Sequence, residues 1–288
     1  MEVCMDIRIE DQHFTGERAL FKSHNKTISH CLFDDGESPL KEGRNLIVDH
    51  CTFGWKYPLW YGENHIVRNS TFLEMARSGL WYTNHSTFEN CLLIAPKLFR
   101  RSHDLFLSDI EFKDAKETLW TCDKVTLKDV KAENGDYFLK DSSDVSVDNL
   151  TLNGNYCFDG GKNICVRNSV LNSKDAFWNC ENVYVENSTI VGEYFGWNSK
   201  NIVLKNCKVI SHQGFCYIEN LKMIDCIIED SDLIFEYCSN IDIDVKSRLL
   251  SVKNPLSGRI SSYGIDELIL DDESIDKSKV EYSTKETL

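Results

Sequence analysis

Apolar and polar residues alternate along this chain in short runs that return at a fixed interval. From Asp144 the run reads Val145, Ser146, Val147, Asp148, Asn149, Leu150, Thr151, Leu152; from Asn163 it reads Ile164, Cys165, Val166, Arg167, Asn168, Ser169, Val170, Leu171. Equivalent runs begin at Asn25, Asn45, Asn64, His85, Asp104, Lys124, Asn182, Asn201, Asn220 and Asn240, with successive starts 19 to 21 residues apart. Counting each start as position 1, positions 2 and 4 are mostly apolar, and positions 3 and 5 mostly polar. A period of two with one apolar face predicts a β-strand buried on one side.

Position 6 is a row of Asn, Asp and His, from His30 and His50 through Asn149, Asn168, Asn187 and Asn206 to Asp225. Asn and Asp tolerate left-handed backbone and hydrogen-bond their own turns, so a corner is expected there. Position 7 is small or apolar (Cys31, Cys51, Ser70, Cys91, Ser169, Ser188, Cys207, Cys226) and suits the inside of that corner. Position 9 returns to apolar residues such as Phe33, Phe53, Phe72, Leu152 and Ile190. Strand, corner and strand at one period of about 20 residues predict a solenoid, each coil lying ~4.8 Å from the next. The expected fold is all-β: a single-stranded parallel β-helix of about 12 coils, right-handed as parallel crossovers prefer. Residues 1–24 are expected to form an N-terminal cap or imperfect first coil, 25–245 the β-helix, and 246–288 a C-terminal cap and acidic tail.

The fifth positions carry charges that largely alternate between neighbouring coils, among them Asp49, Arg68, Glu89, Arg167, Glu186 and Lys205. Cross-strand pairing on a solvated sheet accounts for them. The 12 cysteines show no CxxC pairing, and the histidines no HxxxH spacing, so neither a structural zinc set nor another metal site is expected. Free, mostly buried thiols are the expectation, with stacked pairs such as Cys31 and Cys51 slightly too far apart to bridge.

Counting backwards from each start exposes a second pattern. Five residues before lie Leu59, Leu80, Phe99, Leu119, Leu139, Phe158, Phe177, Gly196, Phe215 and Phe235, an inward stack. Four residues before lie Trp60, Trp81, Arg100, Trp120, Lys140, Asp159, Trp178, Trp197, Cys216 and Glu236, expected to point outward; five of the chain's six tryptophans fall here. The following residue adds Tyr61, Tyr82, Arg101, Asp141, Asn179 and Asn198. An outward aromatic row of this length calls for something to cover it. Candidate ligand-contacting residues are Trp60, Trp81, Tyr82, Arg100, Arg101, Trp120, Asp141, Trp178 and Trp197. Candidate catalytic groups are Lys140, Asp159 and Asp175. Two carboxyls ~5–9.5 Å apart serve glycoside hydrolysis, and a basic side chain serves proton abstraction by a lyase.

A net charge of −14 disfavours a phosphate backbone as partner. No apolar run is long enough to span a membrane as a helix. Residues Met1 to Asp6 lack the basic and apolar regions of a secretory leader, which points to a cytoplasmic protein. No cofactor is expected.

The coils and Asn rows resemble the pectin-lyase-like superfamily of right-handed β-helices. Segments such as Gly16 to Phe21, Trp55 to Tyr61, Ala95 to Arg101, Ser173 to Asn179 and Gly192 to Ser199 resemble, more closely, a bacterial family catalogued as domain of unknown function 3737. That resemblance implies the β-helix fold and a bacterial source, and supplies no activity. The superfamily includes polysaccharide lyases, polygalacturonases and pectin methylesterases, but the polygalacturonase set of Asn-Thr-Asp, Asp-Asp, His-Gly and Arg-Ile-Lys has no counterpart here as a whole. Two readings stay open. In one, the stripe binds or processes a saccharide, with chemistry like that of a polysaccharide lyase or glycoside hydrolase. In the other, the protein is not an enzyme, and the aromatic stripe is an interface with another protein or a second copy of the chain.

Overall fold

A computed structural model describes residues 7–286. The six N-terminal residues, on which the leader expectation rests, and the last two lie outside the described residues. The chain is an all-β parallel solenoid of about 15 turns with almost no helix. It divides into two units, 1–146 and 147–288.

In the first unit, parallel strands stack one per turn: Ile7–Glu10, His24–Ser29, Arg44–Asp49, Ile66–Arg68, Ser86–Leu93, His103–Phe112 and Asp123–Ala132. Their register superposes the inward positions. Ile9, Ile28, Val48, Val67, Phe88, Leu107 and Leu127 form one column. A second column stacks Phe14, Phe33, Phe53 and Phe72 at centroid separations of 5.1, 4.9 and 4.7 Å. Each buried Phe contributes on the order of 2–3 kcal/mol of transfer free energy.

The second unit repeats the scheme with Lys162–Arg167, Glu181–Glu186, Lys200–Lys205, Glu219–Glu229 and Ile241–Val245. Its column runs Val166, Val185, Leu204, Met223, Ile243, Ile260 and Tyr282. The number of turns exceeds the expected 12 because stacking outlasts the sequence pattern. Gly258–Ser262 and Val280–Thr284 continue the parallel register although the Asn row has lapsed. At the other end, Ile7–Glu10 pairs with His24–Ser29, and Asp11 (φ 53°) takes the corner place that His30 holds in the next turn.

The corners follow the sequence reading. Position 6 is left-handed from His30 (φ 51°) to Asp225 (φ 55°), and position 1 is left-handed as well, for example Asn163 (φ 54°) and Asn201 (φ 56°). Side-chain amides stack between turns: Asn182 Nδ2 donates to Asn163 Oδ1 (2.9 Å), and Asn201 Nδ2 to Asn182 Oδ1 (2.9 Å). The charged fifth positions pair between neighbouring turns, as Arg68 with Asp49 (3.1 Å) and Lys205 with Glu186 (2.8 Å). Such exposed pairs are each worth under about 1 kcal/mol. Among the described residues the cysteines are free, and all but Cys165 are buried. Burial pushes the Cys122 and Cys157 thiols up to about 12, which leaves them unreactive near neutral pH.

Candidate functional site

A third corner in each turn precedes position 1, and it carries the aromatic residues. Leu59, Leu80, Phe99, Leu119, Leu139, Phe158, Phe177, Phe215 and Phe235 at its inner side are all fully buried. Left-handed backbone at several of them, such as Phe158 (φ 64°) and Phe235 (φ 66°), is costly for a bulky residue, by roughly 1–2 kcal/mol each. The stacked phenyl rings offset that strain. Gly196 (φ +73°) takes this place in one turn, where an added Cβ would lie 2.9 Å from Ile218 Cδ1.

The next residue does not project freely, as the alternation predicts. Trp60, Trp81, Trp120, Trp178 and Trp197 are half-buried, and Asp159, Cys216 and Glu236 are buried. The corner is tight enough that an indole falls back across the next turn. Trp60 donates to the Ser78 carbonyl, Trp81 to Lys97 (2.8 Å), Trp120 to Tyr137 (2.5 Å) and Trp178 to Tyr194 (2.6 Å). Trp197 is the exception: among the described residues its indole N–H has no protein acceptor. The outermost position is the residue after, left-handed in turn after turn: Tyr61, Tyr82, Arg101, Thr121 and Asp141 in the first unit, Asn179, Asn198, Tyr217 and Tyr237 in the second.

In the first unit the ridge is internally satisfied. Trp60 stacks on Trp81 (5.6 Å, 15°) and Tyr61 on Tyr82 (4.8 Å, 4°). The Arg100 guanidinium sits between Trp81 (5.0 Å) and Trp120 (4.2 Å), and its Nη2 reaches Glu117 Oε2 at 2.5 Å. Burial alone would raise the Glu117 pKa, but Arg100 and then Lys97 outweigh it and hold the carboxyl below its usual range. Arg101 is exposed and donates to Tyr82 Oη (3.0 Å). A cavity of about 290 Å³ is lined by Trp81, Tyr82, Arg100, Arg101, Trp120 and Thr121. Lys140 is half-buried, with its Nζ 3.8 Å from the Asp141 carboxylate and 5.8 Å from the Tyr137 ring.

In the second unit the ridge opens. Trp178, Trp197, Tyr217 and Tyr237 follow one another at 5.8, 5.2 and 5.3 Å. Trp178, Asn179, Trp197, Asn198 and Tyr217 line a cavity of about 460 Å³. Asn198 Nδ2 donates to Asn179 Oδ1 (3.0 Å), and Asn179 Nδ2 to Asp159 Oδ1 (3.1 Å). Asp175 is 1% exposed, with its Oδ2 lacking a hydrogen-bond partner. Burial first, and the nearby charges of Glu193 and Asp159, push its pKa up against the opposing pull of Tyr156 and Lys174. It is therefore an interior carboxyl biased toward its neutral form. No cluster of three or more His, Cys, Asp or Glu suited to a metal occurs among the described residues. No helix among them is long and apolar enough to cross a membrane.

Tyr217 and Tyr237 are absent from the sequence-derived set because Cys216 and Glu236 interrupt the tryptophans that defined the stripe. Counting three residues back from Asn220 and Asn240 identifies both.

A family model described as a protein of unknown function, DUF3737, matches residues 7–283. The chain belongs to that family. No curated protein matches it. Among solved structures, PfbA, a surface adhesin of Streptococcus pneumoniae, is similar at 8% identity over 81% of this chain and 85% of its own (TM-score 0.48). The A-module of the Azotobacter vinelandii mannuronan C-5 epimerase is similar at 10% identity over 96% and 89% (TM-score 0.32). A tailspike protein of an E. coli bacteriophage, in complex with a pentasaccharide, is similar at 14% over 85% and 60% (TM-score 0.44). The family member is a parallel β-solenoid, and likeness at these levels transfers no residue role or activity to it.

Proposed function

We propose that this family member binds a saccharide chain on the ridge of its second unit. One observation carries the reading: the Trp178, Trp197 and Tyr217 rings form consecutive platforms beside a cavity of about 460 Å³, with the Asn179 and Asn198 amides along its side. Pyranose rings present apolar faces that stack on indole and phenol, and hydroxyls that pair with amides. The ring-to-ring steps of 5.2–5.8 Å are comparable to the advance of one sugar residue along an extended chain. The free indole N–H of Trp197 adds a donor that the other stripe tryptophans have already committed to carbonyls.

On this reading Trp178 and Trp197 contact the sugar directly. Trp60, Trp81, Tyr82, Arg100 and Trp120 brace the first unit's ridge, and Arg101 and Asp141 are its exposed polar groups. Asp175, held in the interior, does not meet ligand. Binding, not catalysis, is therefore the proposed activity.

The test is titration of the purified chain with a panel of oligosaccharides, followed by tryptophan emission and calorimetry. Wild type is expected to bind at least one of them, and Trp197→Ala to weaken that binding about tenfold or more with an unchanged melting temperature. Absence of binding across the panel, or binding indifferent to Trp197→Ala, removes the proposal. Self-association lost in Trp197→Ala would instead assign the ridge to contact between copies of the chain.

A further inference from the structure

Resting on that reading, we infer that Asp159 is a positioning residue that fixes the direction of the amide row, and that the row selects a neutral saccharide over a uronate. An Asn amide in a stacked row has two orientations of nearly equal shape, because its oxygen and nitrogen exchange places on a flip. A row of Asn alone therefore has no intrinsic direction. Asp159 breaks that symmetry. Its carboxylate oxygen is the acceptor, so Asn179 must turn its Nδ2 toward it, as observed at 3.1 Å. Asn179 then presents its Oδ1 to the next turn, and Asn198 must answer with Nδ2, as observed at 3.0 Å. Asp159 is 9% exposed, so its pairing with the amide is shielded from competing water.

Each committed Nδ2 keeps a second hydrogen, and left-handed backbone at Asn179 (φ 53°) and Asn198 (φ 57°) sets both side chains on the outer edge of the corner. The ridge thus offers a fixed sequence of amide N–H donors beside the Trp178, Trp197 and Tyr217 rings. Hydroxyl and ring oxygens of a sugar are the matching acceptors.

The surrounding charge decides between sugar classes. The five residues lining the cavity include no cation. The ridge instead carries Asp159, Glu236 and Asp272, and the one lysine paired with Glu236, Lys253, is engaged at 2.9 Å. Asp272 accepts from Tyr237 Oη at 3.1 Å. A uronate seated here would lose hydration from its carboxylate without a counter-charge to replace it. A neutral chain carries no such penalty.

The experiment compares neutral gluco-, manno-, galacto- and xylo-oligosaccharides with oligogalacturonate and oligomannuronate at matched length, in wild type and Asp159→Asn. Wild type is expected to bind a neutral oligosaccharide at least tenfold more tightly than either uronate. Asp159→Asn keeps the shape but permits both row directions. It is expected to weaken neutral binding several-fold, narrow the neutral-to-uronate ratio, and split the side-chain amide signals of Asn179 and Asn198 into two sets in ¹H–¹⁵N spectra. A preference for uronate that still depends on Trp197 overturns this inference and leaves saccharide binding intact. An unchanged ratio and single amide signals in Asp159→Asn overturn the positioning role. No binding to any sugar removes the ligand class together with the function beneath it.

Discussion

The two units have the same turn and the same aromatic corner over a buried apolar stack, yet their ridges end in opposite states. In the first, Arg100 fills the space between two indoles and Glu117 fills the coordination of Arg100, so the aromatic faces already have partners. In the second, no arginine lies between Trp178 and Trp197, and the rings border open space flanked by amides. Aromatic content by itself does not separate a brace from a binding surface. What separates them is that the chain supplies its own cation to the first ridge's rings, whereas in the second it places none between Trp178 and Trp197 and gives only the Trp178 N–H an acceptor carbonyl.

The largest expected effects test whether the two cores are equivalent beneath that difference. Phe53→Ala and Phe177→Ala each remove one ring from a stack and should cost about 3–5 kcal/mol, measured by denaturant unfolding. A cost below about 1 kcal/mol in one unit would show that its stack contributes little, and the comparison of ridges would then rest on unequal foundations.

The interiors also differ in their ionisable groups, with opposite consequences for pH. In the first unit His65 lies where most other turns place Leu, Val or Ile, with both ring nitrogens unpartnered, and burial lowers its pKa to about 3. Gly62 makes room for it, since a Cβ there would lie 2.4 Å from Nε2. The folded state therefore resists protonation that the unfolded chain accepts near pH 6.5. Stability should be intact above pH 6.5 and fall on acidification toward pH 3, at up to ~1.4 kcal/mol per pH unit. His65→Leu should flatten that slope, giving a gain of about 2–3 kcal/mol over wild type at pH 4.5 in urea midpoints. An acid slope unchanged in the variant would show that water reaches the imidazole. In the second unit Asp175 works the other way. Its pKa is raised, so its contribution is present below the ordinary carboxylate range and is lost as pH rises through the folded value. Asp175→Asn should be more stable than wild type at neutral pH and lose that advantage in acid.

Smaller still is the contrast between Trp120→Ala and Trp197→Ala. The first breaks the Arg100 stack and should lower stability by about 1–3 kcal/mol, combining lost burial with the cation–π contact. Trp197→Ala should change thermal unfolding far less while removing oligosaccharide binding. Equal destabilisation by both would show that the second ridge is also a brace. The smallest effect is expected from Arg68→Ala on the sheet face, under about 1 kcal/mol and diminishing with added salt.

Much of this was legible in the sequence, because a solenoid writes one turn many times. Val166 above Val185 above Leu204 is visible as spacing alone. So is the left-handed corner at Asn168, Asn187 and Asn206, where side-chain chemistry and backbone demand coincide. The terminal turns were not legible, because stacking of Gly258–Ser262 on Ile241–Val245 needs only compatible backbone and lacks an Asn marker. The ridge was legible as a list and not as a state. Period-two alternation predicts direction, but whether Trp120 stands free or lies back on Tyr137 depends on a corner geometry that alternation does not encode. Asp175, a candidate catalytic group from its sequence position, lies two residues before Phe177, where the turn carries it inside.

Because five of the six tryptophans sit at one corner of the turn, the protein's ultraviolet emission reports almost entirely on that corner. Trp81 and Trp120, pressed against a guanidinium, and Trp178 and Trp197, bordering solvent, occupy different dielectric surroundings. They should therefore respond unequally to a soluble quencher such as iodide. The molecule carries a native optical label whose two populations can be followed separately without attaching a dye.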